Sequence, residues 1–259
     1  MFLLAVTMVA PFLYMVATSL MDEFEVLRYP PALLPATPHP GNYGAALTAL
    51  PFGRFFFNSV LFAGAVVVGQ VFTSAAAAYA FARLRFPGRY RVFLAFLSVL
   101  MVPAIVLLIP RFLIINALGW VDSYAGLIST ELVSVWGIFL LRQFFLTIPR
   151  DLEDAARLDG AGEWAIFRRV VLPLSKPALA TLAVFAFVDQ WKSFLWPLIA
   201  TRSVEMQVVE VGIASFHGIY YTNWPYQMAA AVAAVVPLLI VFFFAQRYFI
   251  QGIQLTGLK

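Results

Sequence analysis

Ionisable side chains interrupt the apolar stretches of this sequence at Arg111, Glu131, Asp189 and Lys192. A charged group inside a bilayer is costly, so such residues usually pair with one another or line a polar pathway. Asp189 and Lys192 share a helix face at a spacing of three residues, which suits a structural ion pair. At ~1.5 Å of rise per residue, Glu131 and Lys192 both lie about 10 Å below the outer ends of their helices and could meet.

The two residues between Asp189 and Lys192 add groups of a different kind. Gln190 offers an amide and Trp191 an aromatic face, and both groups can bind a sugar. Aromatic residues are abundant here, however, and most pack in the interior or anchor at the membrane interface. The sequence therefore leaves two interpretations open for this set, a packed ion-pair region and the lining of a solute pathway. The pathway candidates are Glu131, Asp189, Gln190, Trp191 and Lys192.

A second unusual segment, residues 149–176, is polar and has its own helical pattern. Pro149 and the acidic residues of the next turn form a helix-start signal, because a fixed φ and negative charge both suit a helix N-terminus. Gly160 is predicted to end this helix. A second short helix is predicted from about Gly162 to Arg169, ended by Pro173. Helices this short are marginal alone and must dock on something.

The first of these helices has a narrow face of small side chains, Leu152, Ala155 and Ala156, beside acidic residues. One interpretation is an amphipathic hairpin on the lipid headgroups. The other is a docking element for a cytoplasmic protein, since small residues permit close approach and acidic ones are repelled by anionic lipids. The acidic residues of the segment are Asp151, Glu153, Asp154 and Asp159.

The composition indicates a membrane protein. Of 259 residues, 63% are apolar and only 12% charged, and the mean hydropathy is +0.89, far from the values of soluble domains. The absence of cysteine excludes disulfides, thiolate metal sites and cysteine nucleophiles.

Stretches near the length needed to cross a bilayer occur six times. The first lacks the basic start and cleavage pattern of a signal peptide, so we expect it to be retained. The predicted fold is an all-α membrane protein, one domain over residues 1–259, with a cytoplasmic helix pair at 149–176 between spans four and five. The predicted spans are 2–21, 58–82, 92–115, 124–147, 177–200 and 227–250.

The distribution of Lys and Arg predicts the orientation. With the N-terminus inside, twelve of the seventeen basic residues fall in inner loops or the C-terminal tail, and only Arg28, Arg54 and Arg202 fall outside. Basic residues near short loops stay cytoplasmic, so both termini are predicted to be cytoplasmic. This topology signal accounts for the positive net charge, so nucleic-acid binding is not expected.

The 149–176 segment resembles a family motif. Asp154-Ala155-Ala156, then Gly160, then Val170-Val171-Leu172-Pro173 is similar to the EAA-x3-G-x9-I-x-LP motif of permease subunits of ATP-binding-cassette importers. Asp154 stands where the motif has Glu, and Val170 where it has Ile, so charge and branching are kept.

Further stretches across nearly the whole chain are similar to the smaller permease of maltose-type carbohydrate importers. Lys192 departs from that pattern, because Asn usually follows the Trp. The matching stretches are Asn42-Tyr43, Asn58-Ser59, Ala78-Tyr79-Ala80-Phe81, Phe86-Pro87-Gly88-Arg89, Met101-Val102-Pro103, Trp191, Phe194 to Leu198, and Gly252 to Lys259.

The resemblance implies a multi-pass subunit in the cytoplasmic membrane of a prokaryote. It implies a second homologous permease, two ATPase subunits that hold ATP and magnesium, and an external solute-binding protein as partners, with no cofactor or metal on this chain. It also implies sugar or oligosaccharide uptake, with glycerol phosphate or polyol as alternatives. The residues expected to couple to the ATPase are Glu153, Asp154, Ala155, Ala156, Asp159, Gly160, Leu172 and Pro173.

Other function classes remain as alternatives. An ion-driven secondary transporter would explain the spans and buried charges but not the Ala-Ala and Gly160 segment. A membrane enzyme is a weaker alternative, since no Walker-type glycine-rich sequence is present and His39 and His217 stand alone without metal-ligand spacing.

Overall fold

A computed structural model of the chain describes residues 2–218 and 222–256, with side chains described for 6–218 and 222–246. The described residues are mostly helical and form no β-strand, although His217 and Thr222 make one isolated antiparallel bridge. The helical class predicted from the sequence is thus confirmed.

Fifteen α-helices follow one another in the described ranges. Short 3-10 turns at Val99–Met101, Ala104–Leu107 and Val204–Met206 and a π-helical turn at Phe167–Val171 connect some of them. The helices are α1 (Phe2–Ser19), α2 (Glu23–Val26), α3 (Gly41–Ala49), α4 (Phe52–Ala82), α5 (Arg89–Ser98), α6 (Leu108–Ala117), α7 (Tyr124–Ser129), α8 (Val135–Thr147), α9 (Asp151–Leu158), α10 (Glu163–Ile166), α11 (Leu172–Leu174), α12 (Lys176–Trp191), α13 (Leu195–Ala200), α14 (Val209–Ala214) and α15 (Trp224–Thr256).

The chain divides into two compact units, of which the first contains Met1–Val60 and Lys192–Ile240. Its core joins Phe52 and Phe55 of α4 to Val209 of α14 and to alanines of α15. Gly212 is required here, because a Cβ at this position would lie 2.3 Å from the Phe55 ring.

Two asparagines, Asn42 and Asn58, stabilise the irregular parts of the first unit. Both belong to the stretches that are similar to the smaller permease of maltose-type importers. The Asn42 amide donates to the carbonyls of Ser19 and Met21, and the Asn58 amide donates to those of Glu205 and Gln207. These carbonyls lie at helix ends and in turns, where they have no helical partner, so the two amides replace missing backbone hydrogen bonds.

The second unit contains Leu61–Trp191 and Val241–Lys259. Its core packs one face of α4 against α8, α12 and the segment that follows α9. Gly137 allows α8 to lie close to α4 and α12, since a Cβ at this position would lie 2.7 Å from Ser74 Oγ and 2.8 Å from Leu182 Cδ1. This packing seats the 149–176 segment on the end of α4 and α8.

Two helices are long and apolar enough to cross a membrane unaided, Phe52–Ala82 and Trp224–Gln246, in agreement with the second and sixth predicted spans. Two bent pairs raise the number to four if each pair is one span. They are Arg89–Met101 with Ala104–Ala117 and Glu163–Leu174 with Lys176–Trp191. The first and fourth predicted stretches hold only shorter apolar helices, so the six-span count remains a prediction.

Three predicted spans are not continuous helices. The 92–115 stretch bends by 96° between Met101 and Ala104, where Pro103 cannot donate a helical hydrogen bond. In the 124–147 stretch, helix α7 ends at Ser129 and Ser134 begins α8 by accepting a hydrogen bond from Gly137 N–H. The 177–200 stretch breaks after Trp191. Hydropathy measures apolar length and does not detect these local interruptions.

Candidate docking element and polar cleft

The first helix of the 149–176 segment forms where the sequence predicts it. Helix α9 carries acidic residues in its first turn and Arg157 in its last, both in accord with the helix dipole. Gly160 has φ +84° and ends the helix, and Ala161 N–H then donates to the Ala156 carbonyl at 2.9 Å. The left-handed conformation explains why glycine occupies this position.

The second helix is longer than predicted, because it runs from Glu163 to Leu174 through a π-helical turn, and Pro173 does not end it. Pro173 lies in the first turn of α11, directly after the π-helical turn, where a missing N–H costs little. The chain instead bends by 77° between Leu174 and Lys176. The predicted role of Pro173 as the end of the helix is therefore wrong.

The inward face of α9 is charged. Glu153 and Arg83, the residue that follows α4, each have side chains only 3% exposed, and Arg83 Nε lies 2.9 Å from Glu153 Oε1 as an ion pair without hydrogen-bond alignment. The Arg83 guanidinium also donates to the carbonyls of Phe145 and Ile148 at the end of α8. One arginine thus joins three helix ends.

Arg157 extends this cluster toward the second helix. Its guanidinium donates to Asp154 Oδ1 at 2.8 Å and to Glu163 Oε1 at 3.0 Å, and it lies 3.6 Å from Glu153 Oε2. The Tyr79 hydroxyl donates to Glu163 Oε2 at 2.6 Å. This hydrogen bond, together with Arg157, holds the pKa of Glu163 below its ordinary value against the opposing effect of burial. Both helices are thereby tied to α4.

The outward face of α9 has a different composition. Leu158 is 90% exposed, and Asp154, Ala155, Asp159 and Gly160 are exposed beside it. Leu172 packs partly against the core of the second unit, while Pro173 is exposed. Of the eight residues predicted to couple to an ATPase, only Glu153 is buried.

The sequence reasoning missed Arg83, Arg157, Glu163 and Leu158. A weak signal existed for Arg157, because Glu153 and Arg157 are four residues apart and therefore lie on one face of α9. Leu158 had a signal too, as a large apolar residue among charged neighbours. Nothing local in the sequence identifies Arg83 as the partner of Glu153.

The predicted intramembrane charges are distributed over several places. Glu131 forms an ion pair with Arg111, which also donates to Thr130 Oγ1 at 2.8 Å. The Glu131 carbonyl accepts a hydrogen bond from the buried Gln70 amide at 2.8 Å. Glu131 is thus held in the gap between α7 and α8 by a partner that the sequence reasoning did not assign.

The three residues at the end of α12 differ in exposure. Asp189 is exposed and accepts a 3.3 Å hydrogen bond from the Gln190 amide, whereas Gln190 itself is buried. Trp191 is 1% exposed and stacks on Phe187 with ring centroids 5.5 Å apart. Trp191 is therefore a packing residue in this structure, and Asp189 is the accessible member of the three.

Lys192 lies directly after α12 with an exposed side chain. Its positive charge acts on Glu210 of α14, whose pKa is raised by burial and lowered in part by Lys192. The side chain thus supplies a compensating charge to a half-buried carboxyl group of the first unit.

A polar cleft opens beside Asp189. Its volume is about 290 Å³, and its lining residues include Gln70, Ser134 and Trp136. Gln70 and Ser134 were not among the predicted pathway residues, and neither was Trp136. Within the described residues, no group of three or more His, Asp or Glu side chains could hold a metal ion.

Comparison with known proteins places these features in a family. Residues 70–255 match the family described as the inner membrane component of binding-protein-dependent transport systems. This range includes both the 149–176 segment and the polar cleft.

Individual relatives match over most of the chain. A Rhizobium meliloti (strain 1021) protein, the sn-glycerol-3-phosphate transport system permease protein UgpE, is 35% identical over 97% of this chain and 92% of its own length. The arabinooligosaccharides transport system permease protein AraQ of Bacillus subtilis (strain 168) is 38% identical over 80% of this chain and 73% of its own.

A solved structure has a similar fold. A chain from the crystal structure of a bacterial ABC transporter involved in the import of the acidic polysaccharide alginate superposes with a TM-score of 0.85 and 25% sequence identity. The match covers 95% of this chain and 92% of that chain. The three relatives thus carry names with three different solutes.

Proposed function

The chain belongs to the family of inner membrane components of binding-protein-dependent transport systems, and from that premise we propose how it works as the permease subunit of an ATP-driven importer. Permease subunits are not enzymes, and ATP is hydrolysed by partner subunits. The family consists of components of binding-protein-dependent transport systems, which argues against an ion-driven secondary transporter. That alternative also left the 149–176 segment unexplained.

The outward face of α9 is the proposed seat for an ATPase subunit. The observation that carries this proposal is the 90% exposure of Leu158 on a short helix whose opposite face is held by the Arg83–Glu153 ion pair. An exposed leucine on a fixed helix can enter an apolar pocket of a partner, with acidic neighbours for its basic groups. The proposed contact residues are Asp154, Ala155, Ala156, Leu158, Asp159 and Gly160.

Glu153 would then act on coupling by positioning. Its carboxylate is buried and paired inside the chain, so a force applied to α9 reaches the ends of α4 and α8 through Arg83. Leu172 and Pro173, beside the π-helical turn, would carry movement to α12. This route supports the proposal that closure of the ATPase moves the membrane helices.

The remaining partners follow from the proposed assembly. A second, homologous permease would complete the solute pathway, two ATPase subunits would bind ATP and magnesium on the inner side, and an external binding protein would deliver the solute. Both termini would be cytoplasmic in a six-span prokaryotic inner-membrane subunit, as the distribution of basic residues supports.

Sugar or oligosaccharide is the proposed cargo, with glycerol phosphate as a second candidate because of the relative with that name. Asp189, Gln190 and Glu131 would line the pathway, and Lys192 would offset the charge of Glu210 in the first unit. Trp191 would support them from the core, since its ring is buried against Phe187.

Copurification tests the docking proposal. The tagged chain is purified from its native membrane in mild detergent, and associated proteins and ATPase activity are measured for wild type and Leu158→Asp. We expect an ATPase and a second permease with the wild type, and loss of the ATPase alone in the variant, because a charged side chain cannot enter an apolar pocket.

Leu33→Asp is the matched control, because Leu33 is also a well-exposed leucine but lies in the segment before α3. It should retain the ATPase. A wild-type chain that purifies without any ATPase contradicts the importer proposal. Equal ATPase recovery with Leu158→Asp and Leu33→Asp contradicts the docking surface only.

A further inference from the structure

The polar cleft beside Asp189 has the size of a small ligand site. Its volume of about 290 Å³ lies at the lower end of ordinary small-molecule pockets, enough for one saccharide unit or a short polyol. All its walls belong to the second compact unit. They are Gln70, Ser134, Trp136, Leu182, Phe185, Ala186 and Asp189.

One part of the cleft is aromatic. Trp136 packs edge-on against Phe185 with ring centroids 5.5 Å apart, yet it remains 41% exposed. The C–H groups of a sugar ring form an apolar face, and a tryptophan side chain gives such a face a large and rigid contact area.

Another part is polar and acceptor-rich. The Asp189 carboxylate has about four lone-pair sites, and the long Gln190 hydrogen bond occupies one of them. Ser134 and Gln70 line the same cleft, and each side chain is oriented by a hydrogen bond with the backbone. Sugar hydroxyl groups are donors, so they suit a carboxylate that is held beside an aromatic wall.

The charge of the cleft disfavours an anionic solute such as glycerol phosphate. Asp189 is the only charged side chain among its lining residues, all of which are described, and the neighbouring Arg111 is paired with Glu131. A phosphate or carboxylate in this cleft would meet a like charge with no lining cation to offset it.

We propose that this cleft is a binding subsite on this chain for one unit of an uncharged, polyhydroxylated solute, and that Asp189 discriminates against anionic solutes. The proposal rests on the importer function proposed above and adds a site and a substrate class to it. Trp136 binds the ring face, and Asp189 accepts hydrogen bonds from hydroxyl groups.

Transport by the assembled complex tests it. The native complex, with partner permease, ATPase subunits and binding protein, is reconstituted in proteoliposomes, and ATP-driven uptake of arabinotriose, maltotriose, sn-glycerol 3-phosphate and trigalacturonate is measured. The variants are Trp136→Ala, Trp136→Phe and Asp189→Asn. The binding protein stays constant, so any change in selectivity between variants arises in this chain.

We expect uptake of a neutral saccharide by the wild type. Trp136→Ala should raise its KM about threefold to tenfold, with Trp136→Phe restoring most of the loss. Asp189→Asn should weaken neutral uptake and improve the ratio of anionic to neutral uptake about tenfold, because a repulsive charge is removed. Trp120→Ala, at a similarly exposed tryptophan outside the cleft, should leave both unchanged.

Several results overturn the proposal. Variants of Trp136 and Asp189 that match Trp120→Ala contradict the subsite, and wild-type uptake restricted to the anionic probes contradicts the substrate class. Absence of ATP-driven uptake of every probe, together with absence of a bound ATPase, contradicts the importer function itself, so the two failures are distinguishable.

Discussion

Two polar regions of the same compact unit differ in whether their charged side chains are paired inside the chain or remain accessible. At α9, Arg83 and Glu153 are buried and paired, and Arg157 binds the acidic groups around it. In the cleft, Asp189 is exposed beside Trp136 and has acceptor sites to spare. Charges whose hydrogen bonds are used inside the chain hold a shape, whereas charges with free capacity can receive a ligand.

From this difference we expect two kinds of role for the charged residues. The buried pair has a structural role, because removing either member leaves the other charge buried without its nearest ionic partner. The cleft carboxylate is accessible to solvent, so its loss leaves no buried charge behind. Substitutions in the first region should therefore change the stability of the protein, and substitutions in the second should change the selectivity for solutes.

The largest expected effect is at the ion pair. Arg83→Ala should destabilise the protein by about 3–5 kcal/mol, because Glu153 and two carbonyls at the end of α8 lose their buried partner. Thermal unfolding of the purified protein in detergent measures this as a large fall in Tm. The matched variant Asp189→Asn should change Tm little, and a larger fall for Asp189→Asn than for Arg83→Ala would reverse the comparison.

A smaller effect is expected at the end of α9. Gly160→Ala should cost about 1–2 kcal/mol, because an L-residue at φ +84° is strained even though no atom lies within 4 Å of the added Cβ. Gly162→Ala is the control, with φ −75° and equally open space. The same thermal assay applies, and equal Tm values for the two variants would mean that the backbone of α9 is not under this constraint.

The smallest effect concerns pH. The pKa of Glu163 is lowered in the folded protein, chiefly by the Tyr79 hydroxyl, so its contribution to stability is present above its unfolded pKa, about 4.3, and is lost as pH falls through the lower folded value. We expect the Tm difference between wild type and Glu163→Gln to be largest near neutral pH and to shrink below pH ~4. A difference that grows on acidification would show that the carboxylate opposes folding.

Much of the structure of the 149–176 segment was predictable because its signals are local. A proline followed by acidic residues starts a helix, and a glycine with positive φ ends it, wherever the segment docks. The predicted positions of α9 and Gly160 are confirmed for this reason. The continuation of the helix through Pro173 was not predictable in the same way. The π-helical turn before it depends on how Phe167 and Val171 pack in the core, which is not a local signal.

The cleft was only partly predictable. Asp189 is visible in the sequence as a charge in an apolar stretch, but its neighbours Gln70, Ser134 and Trp136 come from distant parts of the chain. The pairing of Glu131 with Arg111, twenty positions earlier, depends on how two broken helices fold back. The spacing of residues along the chain does not predict contacts of this kind between distant segments.

The sequence by itself determined that the chain enters a membrane, is helical, belongs to a permease family and carries a short helix ended by Gly160, because apolar length, helix capping and motif spacing are properties of neighbouring residues. Tertiary structure alone decided which charges are consumed inside the chain and which remain available. That distinction depends on burial and on partners remote in sequence, as Arg83 shows for Glu153 and Trp136 for Asp189. The free energy of a charge is set by its surroundings, and only the folded chain supplies them.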